Sequence, residues 1–200
     1  MKKNNKVAFL IFKRIFDILF SLFMIIFCFS FLWWWIFLIN LFVTKGHPFF
    51  NPERIGKNKK VFRMLKFRSM KMEANPNLAP SDMNKETQDS MDTKFGKFLR
   101  KTSLDETLQF LNIFIGQMSV VGPRPGAKEH EDMLIKARES YTPSAFDVRP
   151  GLTGYSQVYM KRQHDVMSKA WFDSEYVKIM SPKVDIKIIV HTFLFIFKGK

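Results

Sequence analysis

The sequence has very few of the residues from which disulfide frameworks and thiolate or imidazole metal centres are built. Of its 200 residues, one is cysteine (Cys28) and four are histidine. A single cysteine excludes an intramolecular disulfide and a Cys-rich zinc site, and so few histidines argue against a His-built metal site. Nine glycines and nine prolines exclude collagen-like or linker-like composition, and 46% apolar residues predict a folded chain.

Charge is missing from one long segment, since no charged residue occurs from Ile18 to Thr44 and most residues there are large and apolar. A helix of this length would extend roughly 40 Å, more than the hydrocarbon core of a bilayer. The segment does not end in the A-x-A-like cleavage site of a signal peptide. The sequence therefore predicts a retained membrane anchor over residues 1–44 and a second domain over residues 45–200.

Basic residues flank this apolar segment on both sides, and the net charge of the chain is +14. Positive flanks favour the cytoplasmic face, and a single crossing can satisfy only one flank. We therefore expect a re-entrant helix, with a spanning helix as the alternative. The segment lacks proline, so Ser30, which can hydrogen bond a carbonyl one turn back, is the candidate membrane-helix break. The Trp33-Trp34-Trp35 triplet is unusual here because tryptophan prefers the membrane interface.

The remainder of the chain predicts a mainly α fold with a short β element. Val61 to Met70 alternates apolar and polar residues in part, as a short strand does. Leu104 to Ile115 repeats leucine and isoleucine at helical spacing and is followed by Gly116. Other predicted helical segments are 95–100, 128–139 and 168–178, and the predicted loops or turns are 75–92, 122–126 and 149–154. The apolar tail over 184–197 predicts a helix on a membrane surface or in the core.

The segment Thr102–Glu106 supports a structural and a chemical interpretation. Ser103 followed by Glu106 fits a capping box at the start of the Leu104 helix, with Asp105 in the first turn. A helix N-terminus would also keep Asp105 ionised, and an ionised carboxylate can act as a covalent nucleophile. Glu106, on another side of the helix, can then bind a hard cation such as Mg²⁺ through oxygen.

Several cationic residues are candidates for phosphate binding. Lys66 and Arg68, two residues apart, share one face if they lie on a strand. Arg100 precedes the acidic pair, while Arg124 and Arg149 adjoin prolines that fix their backbone. An arginine in a rigid loop is suited to bidentate capture of phosphate. Solvated surface charge is the alternative for each residue, as it is for Asp173 and Glu175 on the predicted helix 168–178.

The ordered set of segments resembles the bacterial sugar transferase family, the monotopic phosphoglycosyl transferases. The resemblance extends from Lys13 to about Lys187. Each segment alone is weakly specific, but their order along the chain is highly specific. The segments are Lys13-Arg-Ile-Phe-Asp17, Glu53-Arg-Ile-Gly56, Lys66-Phe-Arg-Ser-Met70, Arg100-Lys-Thr-Ser-Leu-Asp-Glu106, Leu111-Asn112, Met118-Ser-Val-Val-Gly-Pro-Arg-Pro125 and Val148-Arg-Pro-Gly-Leu-Thr-Gly154.

The resemblance implies a small catalytic domain on the cytoplasmic face of the bacterial inner membrane, with a re-entrant anchor and amphipathic interface helices. It implies transfer of a sugar 1-phosphate from a UDP-sugar to undecaprenyl phosphate, with release of UMP, as the first membrane step of a glycan pathway. The family mechanism is ping-pong. The implied partners are the two substrates and the lipid bilayer, and nucleic acid is not among them. A homo-oligomer is compatible with the resemblance.

The same resemblance assigns roles to individual residues. It makes Asp105 the nucleophile that forms a phosphosugar acyl phosphate, and Glu106 a ligand of the Mg²⁺ cofactor. Asp173 matches a family acidic position near the active site. The cations that would stabilise substrate phosphates are Lys66, Arg68, Arg100, Arg124 and Arg149. The family has Ser-Pro where this chain has Ser30-Phe31, and Asn-Gly-Arg where it has Tyr159-Met-Lys-Arg162, so the sugar is not predicted.

Two interpretations from other classes compete with the enzyme. A basic membrane-tethered protein that binds nucleic acid or anionic lipid fits the pI near 9.9, but the aromatic residues concentrate in the anchor instead of a basic stacking groove. A catalytically inactive scaffold of a glycan assembly complex would retain its function in cells when Asp105 is replaced by asparagine.

Overall fold

The computed structural model describes residues 3–44, 46–71, 91–127, 132–160 and 165–197, and it is mainly helical with short strands. The helices are α1 Lys3–Phe31, α2 Trp33–Val43, α3 Lys94–Thr102, α4 Gln109–Phe114, α5 Asp132–Glu139, α6 Tyr155–Tyr159, α7 Val166–Ile179 and α8 Pro182–Phe197. The strands are β1 Phe49–Phe50, β2 Glu53–Ile55, β3 Val61–Arg63, β4 Lys66–Phe67, β5 Ser119–Val121, β6 Gly126–Ala127 and β7 Gly151–Thr153.

Helices α1 and α2 form one apolar arm that is interrupted at Leu32. Among the residues that the structure describes, Val7–Phe31 is the helix long and apolar enough to cross a membrane, with a mean hydropathy of 2.1 over its best window. The Leu32 backbone leaves the helical region, with φ −120° and ψ −50°. The prediction that Ser30 forms the break is wrong by two residues, because Ser30 stays within α1. Leu32 is partly buried and packs against both hydrophobic clusters.

A stripe of buried residues along the arm faces the rest of the protein. Asp17 accepts a hydrogen bond from the Val120 N–H at 2.9 Å, and Lys13 pairs with Asp185 of α8 at 2.6 Å. Near the other end, Asn40 donates to the Arg68 carbonyl at 2.8 Å. Most other arm residues are exposed and apolar. Both ends of the arm therefore contact the same folded body, and the boundary at residue 44 stays a prediction.

One hydrophobic core joins the arm to the body. Phe9 and Cys28 of α1 lie in it beside Phe110, Val121 and Ile188. A second cluster is centred on Ile36, Phe67, Leu99 and Leu108. Helix α8 buries Ile188 but leaves Ile186, Val190 and Phe193 about half exposed or more. The alternative of a core helix for the tail is therefore wrong for most of its surface.

The strands form three small sheets. β1 pairs with β4, β2 lies between β3 and β6, and all of these pairs are antiparallel. β5 and β7 form a parallel pair, with Ser119 opposite Gly151 and Val121 opposite Thr153. The sequence predicted only a turn over 149–154, so that prediction is wrong for Gly151–Thr153. A Cβ at Gly151 would overlap the backbone of Gly122, so glycine is required where these two segments meet.

The helix predictions hold in their centres and fail at some ends. Helices α3 and α7 confirm the segments 95–100 and 168–178, and α5 confirms the described part of 128–139. Thr93 caps α3 by accepting from the Gly96 N–H at 2.8 Å, and Asp165 caps α7 through Met167 and Ser168. The predicted loop 122–126 is irregular over 122–125, but the prediction is wrong at Gly126, which pairs with Ile55 in β6. Most of the predicted loop 75–92 lies outside the described residues.

Candidate active site

The site centres on a tight turn between α3 and α4. Ser103 ends α3 in the left-handed conformation, with φ 57° and ψ 19°, and its N–H donates to the Arg100 carbonyl at 3.2 Å. A 3-10 turn over Leu104–Glu106 follows. Asp105 in this turn is only 5% exposed. The backbone reversal at Ser103 therefore presents a buried carboxylate at the junction of two helices.

The capping box expected at Ser103 does not form, and the prediction that α4 begins at Leu104 is wrong. Ser103 makes no side-chain cap hydrogen bond, because its left-handed backbone already closes the preceding helix. Glu106 instead pairs with Arg124. The α-helix starts at Gln109. Leu104 and Leu108 do pack in the second cluster, whereas Ile115 is 63% exposed.

Three cations from three elements act on the Asp105 carboxylate. They are Lys66 of β4, Arg100 of α3 and Arg124 of the 122–125 loop. Burial and the neighbouring Glu106 raise the pKa of Asp105 to about 6, although the three cations oppose the rise. Burial lowers the pKa of Lys66 to about 8, against the attraction of Asp105 and Glu106. Near neutral pH the centre holds an ionised carboxylate among cations.

Lys66 and Arg68 lie on one face, as the alternation predicted. The Lys66 Nζ is 5.0 Å from the centroid of the Phe50 ring, and the Arg68 Cζ is 5.7 Å from the same ring. Arg68 also donates to the His47 carbonyl at 2.9 Å. Because antiparallel pairing sets Phe50 opposite Lys66, the ring supports both cations at the edge of the site.

Arg100 and Arg124 are each held by a second contact. The Arg100 Nε donates to Ser69 Oγ at 2.7 Å, and its guanidinium pairs with Asp92 at 3.3 Å. Arg124 donates to the two Glu106 oxygens at 2.5 and 3.4 Å. These contacts fix the directions of both guanidinium groups, which suits the binding of a phosphate group.

Asp173 lies behind the site, in a buried network. It is 1% exposed and accepts two hydrogen bonds from Arg138, at 2.9 and 2.5 Å. Its other oxygen accepts from Ser156 at 2.8 Å. Arg138 also donates to the Arg124 carbonyl at 2.8 Å. The structure therefore connects Asp173 to the site through the backbone of Arg124, without direct contact with Asp105.

Arg149 lies at the opposite end of α4 from the Asp105 turn. It donates to the Gly116 carbonyl at 2.8 Å, and Arg14 of α1 donates to the Ile113 carbonyl at 2.7 Å. Cations are favourable at a helix C-terminus. These two arginines therefore stabilise the C-terminal end of α4.

Sequence reasoning missed the residues that support the site. Asn112 accepts from the Leu65 N–H and donates to the Arg63 carbonyl, both at 2.9 Å, and so positions the strand that carries Lys66. Asn112 and Ser69 lay inside the segments that carried the resemblance, which was their only indication. Arg138 lies among other charged residues of α5, and nothing in the sequence distinguishes it.

The carboxylates of the site fit a Mg²⁺ ion bound together with a substrate. Within the described ranges, no group of three or more His, Cys, Asp or Glu side chains could hold a metal by itself. Mg²⁺ commonly binds through one or two carboxylates and substrate phosphates instead. Asp105 and Glu106 supply two adjacent carboxylates, so the donor set suits such shared binding.

The chain is similar to known proteins over most of its length. The family model described as bacterial sugar transferase matches residues 8–199. The exopolysaccharide production protein ExoY of Sinorhizobium fredii is 34% identical over 192 residues, which cover 90% of this chain and 83% of that protein.

Longer relatives match as well. The UDP-glucose:undecaprenyl-phosphate glucose-1-phosphate transferase of Escherichia coli is 40% identical over 162 residues, covering 78% of this chain and 33% of that protein. The undecaprenyl-phosphate galactose phosphotransferase of Salmonella typhimurium is 33% identical over 195 residues, covering 90% and 39%. The chain spans about a third of the length of the first relatives it matches. The family match, which includes the Asp105 turn and all three surrounding cations, shows that this chain belongs to the bacterial sugar transferase family.

Proposed function

We propose that the protein transfers a sugar 1-phosphate from a UDP-sugar to undecaprenyl phosphate and releases UMP. The observation that carries the proposal is the buried Asp105 carboxylate, on which Lys66, Arg100 and Arg124 converge. The names of its relatives include transferases that use undecaprenyl phosphate as acceptor. Phosphoryl transfer depends mainly on positioning and charge stabilisation, and these are the properties of this site.

The proposed reaction has two displacement steps. A carboxylate oxygen of Asp105 attacks the phosphorus that bears the sugar, and the bond from that phosphorus to the bridging oxygen breaks. UMP leaves with the electron pair, and an acyl phosphate links Asp105 to the sugar phosphate. A phosphate oxygen of undecaprenyl phosphate then attacks the same phosphorus. The aspartyl–phosphorus bond breaks, which restores the Asp105 carboxylate and forms the sugar–diphosphate lipid.

The surrounding residues would stabilise charge in both steps. Arg124 and Arg100, each held by a second contact, present fixed guanidinium groups to phosphate oxygens. Lys66 offers a point charge close to the two carboxylates. Glu106, together with Asp105, would hold the Mg²⁺ ion. When bound, that ion would neutralise charge on the diphosphate.

We also propose that the arm enters and leaves the membrane by the cytoplasmic face of the bacterial inner membrane. Lys13 and Asp17 near one end and Asn40 near the other contact the same body, which supports a re-entrant anchor over 1–44 below a catalytic domain over 45–200. The exposed apolar face of α8 would rest on the same surface. This arrangement brings the site to the depth of a lipid phosphate.

The topology can be tested with single cysteines in a Cys28→Ser background. One cysteine replaces Asn4 before the apolar segment, and another replaces His47 after it. We expect a membrane-impermeant maleimide to label both positions in inverted membrane vesicles and neither in intact spheroplasts. Labelling of the two positions from opposite sides would show a spanning helix and overturn the re-entrant proposal.

The activity can be tested by measuring UMP release from a panel of UDP-sugars. The protein is reconstituted in lipid with undecaprenyl phosphate, with Mg²⁺ or with a chelator. We expect release with one or a few donors, dependent on Mg²⁺, and a sugar–diphosphate lipid as the product. Folded protein that releases no UMP from any donor would contradict the proposal and favour the scaffold interpretation.

The pH dependence of the donor reaction should follow Asp105 and Lys66, the two groups of the centre whose pKa values are shifted. Below about 6, the pKa of Asp105, the nucleophile becomes protonated, and above about 8, the pKa of Lys66, a phosphate-stabilising charge is lost. We expect kcat/KM for the UDP-sugar to rise and fall through these values. Lys66→Arg should remove the falling limb because arginine stays charged. A falling limb that persists in this variant would assign it to another group.

A further inference from the structure

An apolar cavity of about 260 Å³ lies where α1 gives way to α2. Trp33, Trp34 and Phe37 of α2 line one side, and Phe49 and Phe67 of the β1–β4 pair line the other. Two of the three tryptophans in the middle of the apolar segment therefore line this cavity. We call this space the aromatic cavity.

The aromatic cavity is built onto the catalytic turn. The Trp33 Nε1 donates to Thr107 Oγ1 at 3.1 Å, and Thr107 Oγ1 donates to the Leu104 carbonyl at 2.8 Å. Leu108, three residues after Asp105, also lines the cavity. A wall of the cavity and the backbone of the catalytic turn are therefore one hydrogen-bonded unit.

The cations of the site lie on the other face of the same strand pair. Phe67 lines the cavity, and Lys66, the residue before it in β4, points to the opposite face. The ring of Phe49 lies 5.7 Å from that of Phe67, and the next residue, Phe50, supports Lys66 and Arg68. The connection from the cavity to the site therefore runs through Trp33, Thr107 and Leu108, and a ligand with a phosphate at the Asp105 turn can place its hydrocarbon in the cavity.

We propose that the aromatic cavity binds the isoprene units next to the phosphate of the polyprenol phosphate acceptor. This inference rests on the proposed function, which requires an acceptor with both chemical characters. The volume is just below the roughly 300 Å³ at which small-molecule pockets begin, so the cavity holds a short piece of the tail. The remaining hydrocarbon stays in the bilayer.

The proposal can be tested by photo-crosslinking on the full chain in lipid nanodiscs. The probe is a farnesyl phosphate that carries a benzophenone. We expect crosslinks in the segment 29–37 that undecaprenyl phosphate displaces at about a ten-fold lower concentration than phosphatidic acid does. Phosphatidic acid has the same phosphomonoester head on acyl tails. Equal competition by the two lipids would show a general acyl-chain site, and crosslinks confined to other segments would also overturn the proposal.

Trp34 and Trp35 form a matched pair of positions for substitution. Trp34 lines the cavity, whereas Trp35 lies outside its lining and is 68% exposed. Trp34→Ala should reduce crosslinking and raise KM for undecaprenyl phosphate by about ten-fold, with UMP release in the donor half-reaction unchanged. Trp35→Ala should change neither quantity. Equal effects of the two substitutions would contradict the proposal.

The binding readout keeps this inference separable from the proposed function. Crosslinking requires no sugar transfer. Wild-type protein that crosslinks in 29–37 but transfers no sugar would overturn the proposed function alone. Protein that transfers sugar but crosslinks elsewhere would overturn the aromatic cavity alone.

Discussion

Asp105→Asn should abolish sugar-phosphate transfer, with a fall in rate of at least about a thousand-fold. The amide has nearly the shape of the carboxylate but is not a nucleophile, so the acyl phosphate cannot form. Wild-type protein given a UDP-sugar without acceptor should gain the mass of a sugar phosphate on the peptide that contains Asp105. The asparagine variant should show neither this mass gain nor UMP release.

Glu106→Gln is the neighbouring control for Asp105→Asn. It removes one charge from the same turn but leaves the nucleophile, so a measurable rate should remain. It should also move the rising limb of the pH profile to lower pH, because Glu106 contributes to the raised pKa of Asp105. Full activity of Asp105→Asn, or a mass gain on a different peptide, would show that another residue is the nucleophile.

Stability separates loss of chemistry from loss of folding in the Asp105→Asn variant. The folded-state pKa of about 6 lies above the unfolded value near 3.9. The folded state therefore binds more protons between these values, and the wild-type free energy of unfolding falls as pH rises through this window. Asparagine does not titrate. We expect the inactive variant to be at least as stable as wild type above pH 6, measured by thermal unfolding in detergent.

Asp173→Asn should produce the largest loss of stability of the substitutions considered. Arg138 and Asp173 are 2% and 1% exposed and form a hydrogen-bonded ion pair. Removing one partner leaves an uncompensated buried charge, which costs about 3–5 kcal/mol of the free energy of unfolding. Denaturant unfolding of the purified protein measures this loss. The double variant Arg138→Met/Asp173→Leu should recover much of it, since it leaves no buried charge.

Glu175→Gln, two residues further along α7, is the control for Asp173→Asn. Glu175 forms a partly exposed pair with Lys178 at 3.5 Å, and such pairs contribute about 0–1 kcal/mol. If Asp173 instead bound substrate directly, Asp173→Asn would raise KM for the UDP-sugar without lowering stability. That result would overturn the positioning role that its contacts with Arg138 support.

The centre of the site was predictable because its chemistry is local in the sequence. Asp105 and Glu106 are adjacent, and Lys66 and Arg68 alternate on one strand face. Arg124 lies between prolines that exclude regular structure. In each case residue type and short spacing carried the information. The sequence also indicated the centres of α3 and α7.

What the sequence did not reveal depends on contacts between distant segments. The left-handed backbone at Ser103 follows from the end of α3 and the pairing of Glu106 with Arg124, and a capping motif alone cannot anticipate it. The parallel pairing of Gly151 with Ser119 joins strands more than thirty residues apart. Arg138 is one basic residue among many until the fold buries it against Asp173.

The core that the arm shares with the body has a consequence for how the protein is made. Phe9 and Cys28 are core residues, and Lys13 pairs with Asp185, 172 residues later in the chain. The arm is synthesised before its partners in α8. The shared core can therefore form only after α8 has been synthesised. Removing the arm to obtain a water-soluble enzyme would remove part of the interior itself.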